Sequence, residues 1–439
     1  MGLLTFKGGV HPYDGKELSR DCAIEELKPG SVLVFPLSQH IGAPAKPIVA
    51  VGDHVLAGQK IAEKGGFISA NIHSSVSGTV KKIEPRLTAI NGLVNSIVIE
   101  NDGLYECAGK LNDRPWNDLT RDEIIHIIDE AGIVGMGGAG FPASVKLSPK
   151  DPDSIEYVIV NGAECEPYLT SDYRRMLEAP DQLIEGLKIA VSLFKNAKGV
   201  IGIEDNKPEA IKLLTEKVKD IPNIEVAPLK TKYPQGGERF LIKAITGRKI
   251  NSKMLPSDAG CVVHNVDTIV SIYQAVVEGR PLTRRIVTVT GDAVKTPKNY
   301  YVYLGMSFKE LIEAAGGFDV QPEKVISGGP MMGFSFYSLD VPLVKGSSSL
   351  LAYKKDNVPH TPEQACIRCG RCAQACPEGL MPMKLAAAAL RGDEETFVKL
   401  GGLECVECGS CAYACPSKRQ VTQACRTMKK IVLDKRRRK

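Results

Sequence analysis

No run of about 18 uncharged apolar residues occurs in this sequence, so no helix of it is expected to span a bilayer. The N-terminal MGLLTFKGGVHPYDGK lacks the long apolar stretch of a secretory signal. A strong charge excess is missing too. The formal net charge is only +5, and part of it sits in residues 435–439 (KRRRK). That excludes the broad basic footprint of a nucleic-acid binder. The basic end suits a solvated tail, and a polybasic tail also suits an anionic membrane surface. These absences predict a chain that stays in the cytoplasm, where thiols remain reduced. Its 13 cysteines therefore call for something other than disulfides. At 439 residues the chain is too long for one core, and two to four domains are expected.

Eight of the cysteines fall into two runs, CIRCGRCAQACP from Cys366 and CVECGSCAYACP from Cys405. Each reads C-x2-C-x2-C-x3-C-P, the spacing in which three thiolates hold one iron-sulfur cubane and the fourth reaches to the other run's cubane. Cys366, Cys369, Cys372 and Cys415 are accordingly assigned to one [4Fe-4S] cluster, and Cys405, Cys408, Cys411 and Cys376 to the other. Zinc knuckles also use C-x2-C pairs, but as separated pairs, not four cysteines in eleven residues followed by proline and repeated. The stretch between the runs contains MKLAAAALRG and EETFVKLG, rich in helix formers, so the cluster module is predicted to be helical. Of the remaining cysteines, Cys22, Cys107, Cys261 and Cys425 read as small buried hydrophobes, and Cys165 lies in a motif considered below.

The first hundred residues are short apolar runs broken by glycine and proline, which predicts an all-β module. VAVGDHVLAGQKIAE followed by SSVSGTVKKI resembles a biotinyl/lipoyl-type barrel sandwich. The intervening turn KGGFISANIH lacks the Met-Lys-Met of a swinging arm, so a structural or docking role is expected. His40, His54 and His73 read as ordinary surface or packing residues. From Leu119, LTRDEIIHIIDEAGI has helical spacing, and EYVIVNGAE, KGVIGIED and NIEVAPLK alternate with the amphipathic DQLIEGLKIAVSLFKNA and KPEAIKLLTEKVKDI. Strand-helix alternation predicts a parallel α/β sheet with ligands at the strand C-termini. From Arg284 a β-β-α-β order suits a small β-grasp unit. The expected division is residues 1–112, 113–282, 283–345, a linker at 346–361, the cluster module at 362–430 and a basic tail at 431–439.

GMGGAGFP matches the dinucleotide fingerprint G-x-G-x-x-G at Gly135, Gly137 and Gly140. That fingerprint requires a strand before it and a full helix after it. Here a helix precedes and the proline-rich FPASVKLSPKDPDS follows, so the loop is not a Rossmann turn. Its small residues still suit close approach of a phosphate or flat ring, with Lys146 beyond them. Three later loops add polar groups: VNGAECEPYLTSD with Asn161, Glu164 and Glu166, YPQGGERF with Gly237 and Glu238, and VVHNVDTI with Asn265 and Thr268.

In this order, GMGGAGFP, NGAECEP, GGE and VVHNVDT resemble the flavin- and NADH-binding subunit of respiratory complex I. Three positions depart from that pattern: Ala163 stands for an aspartate, Arg239 for a second glutamate and His264 for an asparagine. The full order, from GGVHP and barrel to twin cluster runs, is similar to the family of peripheral NADH-binding subunits of the membrane Rnf complex, over nearly the whole chain. The resemblance implies a multidomain fold: a barrel-sandwich-like module, a complex I flavoprotein-like α/β domain, a β-grasp (SLBB-like) domain and a helical two-cluster module. It implies non-covalent FMN, two [4Fe-4S] clusters and NAD(H) as substrate. Partners would be membrane-embedded and ferredoxin-type subunits of the complex, with ferredoxin reached indirectly and no nucleic acid involved. By the same resemblance Gly135, Gly137, Gly138 and Gly140 would admit FMN and nucleotide to the backbone. Asn161, Glu164, Gly237, Glu238, Asn265 and Thr268 would line the flavin, Phe141 would stack on adenine, Lys146 would meet phosphate and Glu166 the nicotinamide end. Electrons would pass between NADH and ferredoxin, coupled to ion translocation, on the cytoplasmic face of the membrane. Two other classes share parts of the set: a soluble flavin/iron-sulfur reductase of the cobalamin-reductase kind, and a non-enzymatic electron relay or assembly subunit.

Overall fold

The computed structural model describes residues 3–437. At its centre four parallel strands lie in the order Ile224–Leu229, Lys198–Glu204, Tyr157–Gly162, Cys261–Asn265. Their apolar runs are nearly continuous because both sheet faces are covered. Alternate side chains go to opposite faces. Val158 and Val160 join one buried cluster with Leu183, Leu187 and Ile269, while Ile159 joins another with Leu241, Ile242 and Val263. The helix Arg121–Glu130 starts at a capping box of Thr120 and Glu123 and buries Ile124, Ile127 and Ile128.

The N-terminal module packs a four-stranded sheet (Val32–Pro36, His54–Val55, Gly78–Leu87, Leu93–Asn101) against a small three-stranded one. Its core residues Leu33, Phe35, Ile97 and Ile99 form one cluster with Val287, Val289, Tyr300 and Val302 of the β-grasp unit. His40 and His73 are buried packing residues, and His54 faces Asp102 at the surface, 3.1 Å away. Cys261 and Cys425 are buried, but Cys22 is only half-buried and Cys107 is exposed, in a β-bridge with Ala57. The expectation of burial thus fails at Cys107, where the backbone on either side bonds to Ala57 of the barrel while the side chain stays exposed.

The β-grasp sheet has six strands, and two come from beyond residues 283–345. Ile24–Leu27 pairs in parallel with Lys298–Tyr303 at one edge. Ser349–Tyr353 lies in the centre, bonded to Arg284–Thr290 and Lys324–Ser327. That second strand occupies the segment read as a linker. Its SLLAY run is buried over four of five positions, and a five-residue apolar run acquires strand identity only from its partners. The cluster module is helical, with Pro382–Leu390, Glu394–Lys399 and Val421–Arg437 packed around Leu385, Phe397, Met428 and Val432. Lys435, Arg436 and Arg437 continue the last helix, and residues 438 and 439 of the basic end lie outside the described residues. No helix among the described residues is long and apolar enough to cross a membrane.

Candidate functional site

The first strand of the sheet in chain order, Tyr157–Gly162, is flanked by the second and the fourth, so the winding reverses between it and Cys261–Asn265. A crevice opens at the C-terminal ends at such a switch point, which is where ligands bind in open α/β sheets. Asn161 and Asn265 are register partners there. Asn161 donates from Nδ2 to the Gly236 carbonyl at 2.8 Å and accepts the Ala163 amide at 3.3 Å. Asn265 caps the Val266–Val276 helix by accepting the Asp267 amide at 2.9 Å, and donates to Asp172 at 2.7 Å. Both asparagines therefore hold the loops that rim the crevice.

The glycine loop lies over this end of the sheet. Its neck is closed by the Gly135 amide donating to the Phe141 carbonyl at 2.8 Å and by pairing of Val134 with Pro142. Thr268, wholly buried, accepts the Met136 amide at 3.0 Å and donates to the Val134 carbonyl at 3.3 Å. It supports the loop from beneath. The tip, Gly137 to Ala139, is exposed, and Gly138 faces open space. A side chain at Gly137 would come within 3.0 Å of Asn265, and one at Gly140 within 3.1 Å of His40 in the barrel, at φ +69°. Among the described residues the amides of Gly137, Gly138, Ala139 and Gly140 make no hydrogen bond. A row of unengaged donors on a surface of three glycines and one alanine fits the phosphate and ring edges of a flavin nucleotide. Phe141 is half-buried beside the tip. Lys146 reaches back to Glu238 at 2.8 Å and to the Val263 carbonyl at 3.1 Å, so the loop carries a charge already shared with a carboxylate. Gly237 caps the helix Glu238–Thr246, with Phe240 too close for a side chain there.

The acidic stretch after Gly162 is buried. Glu164 accepts the Asp172 amide at 2.7 Å and lies 3.7 Å from Lys16. Burial, helped by Glu164 and Asp267, pushes the Asp172 carboxyl up to about 7. Glu166 accepts the Met331 amide at 3.2 Å from the β-grasp turn, and burial pushes it too up to about 7. His264 is buried and held neutral, its pKa lowered to about 3 by desolvation and then by Lys146. Several buried polar atoms have no hydrogen-bond partner: Glu166 Oε1, the Tyr233 hydroxyl, both amide atoms of Gln235, and Glu164 Oε2, which has only the longer contact to Lys16. Orphaned groups of this kind are expensive in a native fold unless a water or a polar ligand meets them. Tyr233 and Gln235 escaped the sequence reading. YPQGG reads as a glycine turn, and nothing in its spacing shows that the loop folds onto Cys165, whose sulfur accepts the Gly236 amide at 3.2 Å.

In the helical module a cavity is walled by Cys376, Cys405, Cys408 and Cys411, with Cys425 also on its lining. These four are the set grouped by spacing. They border a cavity rather than meet at a point, and no three ligand side chains among the described residues close to single-ion distance. Four thiols around one space fit a cubane, whose irons each take one thiolate. On the other side Cys372 and Cys415 lie close enough to act on each other electrostatically, while Cys366 and Cys369 are exposed. Between cavity and crevice runs the GGVHP segment. Val10 pairs with Tyr233 through two backbone hydrogen bonds of 2.8 and 2.9 Å, and the Gly9 amide donates to the Ala375 carbonyl at 2.9 Å. Gly8, at φ +84°, lies so near the Cys376 carbonyl that a side chain would meet it at 2.7 Å. Val10, Tyr233 and Ala375 thus form a dry seam, with Cys165, Met331 and Cys408 against it.

Four family patterns match in the same order along the chain. They are the RnfC barrel sandwich hybrid domain over residues 4–104, the Nuo51 FMN-binding domain over 128–274, the SLBB domain over 286–335 and a 4Fe-4S dicluster domain over 365–419. The C component of the proton-translocating ferredoxin:NAD(+) oxidoreductase complex of Clostridium ljungdahlii is 47% identical over 88% of this chain and 84% of its own. The chain belongs to the RnfC family. Another member, the C component of the Na(+)-translocating ferredoxin:NAD(+) oxidoreductase complex of Acetobacterium woodii, is 42% identical over 99% of this chain and 98% of its own. Its counterpart in the ion-translocating oxidoreductase complex of Rhodobacter capsulatus is 40% identical over 90% and 77%. Among solved structures, an NAD+-reducing [NiFe]-hydrogenase in the H2-reduced state superposes with a TM-score of 0.51 at 19% identity, covering 73% of this chain and 62% of that one. At that identity the likeness speaks for the fold alone.

Proposed function

We propose that this chain is the NADH-oxidising, NAD-reducing subunit of an ion-translocating ferredoxin:NAD oxidoreductase, held peripherally at the cytoplasmic face by membrane-embedded and ferredoxin-type subunits. One juxtaposition carries the reading: a crevice with unengaged glycine amides is joined through a dry seam to a cavity walled by four cysteines. The chemistry that bound FMN supplies is conversion of the two-electron hydride of NADH into single electrons, which [4Fe-4S] clusters carry one at a time.

The chain's own contribution is placement. Gly135, Gly137, Gly138 and Gly140 let a ring and phosphates reach the backbone, and the free amides of the tip donate to them. Phe141 offers a flat neighbour for adenine. Asn161, Asn265 and Thr268 hold the loops in register, and Lys146 and Glu238 lock the loop's far side to the next helix. Glu166 Oε1, buried and unpartnered, can hold a proton near neutrality beside the hydride path. Val10 and Tyr233 keep water out of the seam. Cys376, Cys405, Cys408 and Cys411 would hold the cluster next to the crevice, and Cys366, Cys369, Cys372 and Cys415 the one nearer the exposed face. The test is anaerobic reduction of the purified chain by NADH, followed by flavin bleaching and cluster EPR. Bleaching with appearance of cluster signals is expected. Iron without releasable FMN would overturn the reading.

A further inference from the structure

Arg239 stands where the complex I pattern carries a second glutamate, and a cation cannot make a carboxylate's contacts. The structure gives it partners of its own. It is the second residue of the helix Glu238–Thr246. Its Nη1 lies 3.1 Å from Glu378 Oε1 and 3.2 Å from Glu404 Oε2. Glu378 follows Cys376 by two residues and Glu404 directly precedes Cys405, so one nitrogen ties together the two segments that bring Cys376 and Cys405 to the same cavity. Glu404 is fixed further by the amide of Ser252, which donates to it at 2.7 Å, and by the Ser252 hydroxyl.

The three side chains are mostly sheltered, at 21%, 17% and 33% exposure, which sets this contact apart from ordinary surface ion pairs. Without the guanidinium, two carboxylates would face each other at the mouth of the cavity. The residue before it, Glu238, pairs with Lys146 beyond the glycine loop. Two consecutive side chains at one helix start therefore reach the crevice and the cysteine cavity.

We propose that Arg239 is a positioning residue that registers the cavity of Cys376, Cys405, Cys408 and Cys411 against the flavin crevice, and so sets how fast electrons cross the seam. The structural half stands on the contacts above, and the kinetic half rests on the function proposed for the crevice. Arg239 touches neither substrate nor reacting atoms.

The test uses the holo chain, purified anaerobically, as wild type, Arg239→Lys, Arg239→Ala, Arg239→Glu and the swap Arg239→Glu with Glu404→Arg. Hydrogen exchange reads the latch alone. Residues 376–380 and 402–408 should exchange about tenfold faster in Arg239→Ala, and residues 133–142 should not change. Stopped flow with NADH reads the consequence. Flavin bleaching should change less than about twofold while cluster reduction slows about tenfold or more, with iron and flavin contents unchanged. Arg239→Lys should fall between wild type and Arg239→Ala, and the swap should restore most of the rate lost in Arg239→Glu. Unchanged exchange in Arg239→Ala sinks the latch. Changed exchange with normal cluster reduction, or equal slowing of bleaching and cluster reduction, sinks its role in the transfer. Absence of NADH bleaching in wild type would instead sink the function proposed for the crevice, leaving the latch to be decided by hydrogen exchange.

Discussion

Glu166 offers a test in which sign and size both follow from the structure. Its carboxyl is buried with one oxygen unpartnered, and desolvation raises its pKa from 4.5 to about 7. Between those values the folded chain keeps a proton that the unfolded chain has lost, so stability falls as pH rises through the window. At 1.36 kcal/mol per unit, the charged form costs the fold about 3 kcal/mol at pH 8, about 2 kcal/mol at pH 6 and under about 1 kcal/mol at pH 5. Glu166→Gln keeps the shape and an acceptor for the Met331 amide but removes the ionisation. The variant should therefore be more stable than wild type by roughly those amounts, with the gap widening from pH 5 to pH 8. Asp172 and Glu204 are also raised to about 7, but neither is shifted by Glu166, so their contributions cancel in the difference. Denaturant midpoints measured at the three pH values provide the assay. A gap that is the same at pH 5 and pH 8, or that favours wild type at pH 8, refutes the reasoning.

Gly138→Ala places a methyl in open space, so stability should stay within about 0.5 kcal/mol while the flavin released by acid falls sharply. Gly137→Ala, pressed to 3.0 Å from Asn265, should lose flavin and about 1–3 kcal/mol of stability as well. Thr268→Val removes the acceptor of the Met136 amide and should cost about 1–3 kcal/mol in denaturation, with flavin retention falling alongside. Cys376→Ala should abolish the same cluster EPR signal as Cys405→Ala, and Cys415→Ala the same one as Cys366→Ala. Grouping by run instead, with Cys376 and Cys366 removing one signal, would overturn the crossed assignment.

Legibility in the sequence followed the range of the interactions. The helical spacing from Leu119, the alternating strands and helices and the C-P cysteine runs are local patterns, and the corresponding elements stand where the pattern puts them. The closeness of Gly137 to Asn265 was legible only as two motifs in order, because Thr268, more than a hundred residues on, holds the loop there. What escaped depends on packing between modules. SLLAY reads as linker until two strands flank it. Gln235 and Tyr233 read as turn residues until GGVHP and Cys165 close over them. Arg239 reads as a damaged motif position, since its two partners lie more than a hundred residues away.

The departures from the complex I pattern therefore fit a different task for the same crevice. In that pattern the corresponding stretches hold a flavin with NADH upon it; here the helix Glu238–Thr246 also meets a second redox module, and a cation suits a surface of two glutamates. The remaining modules act in the same direction. Barrel and β-grasp share one core, and Lys345, fully buried, donates to the carbonyls of Asn71 in the barrel and Gly132 just before the glycine loop at 2.5 and 2.6 Å. Burial pulls that ammonium down to about 7, a strain the fold accepts where three modules meet behind the loop. A barrel so fixed is a support for its neighbours. Its effect is to hold the base of the glycine loop from one side while Arg239 holds the cysteine cavity from the other, so that the distance between them is set by packing rather than by chance encounter.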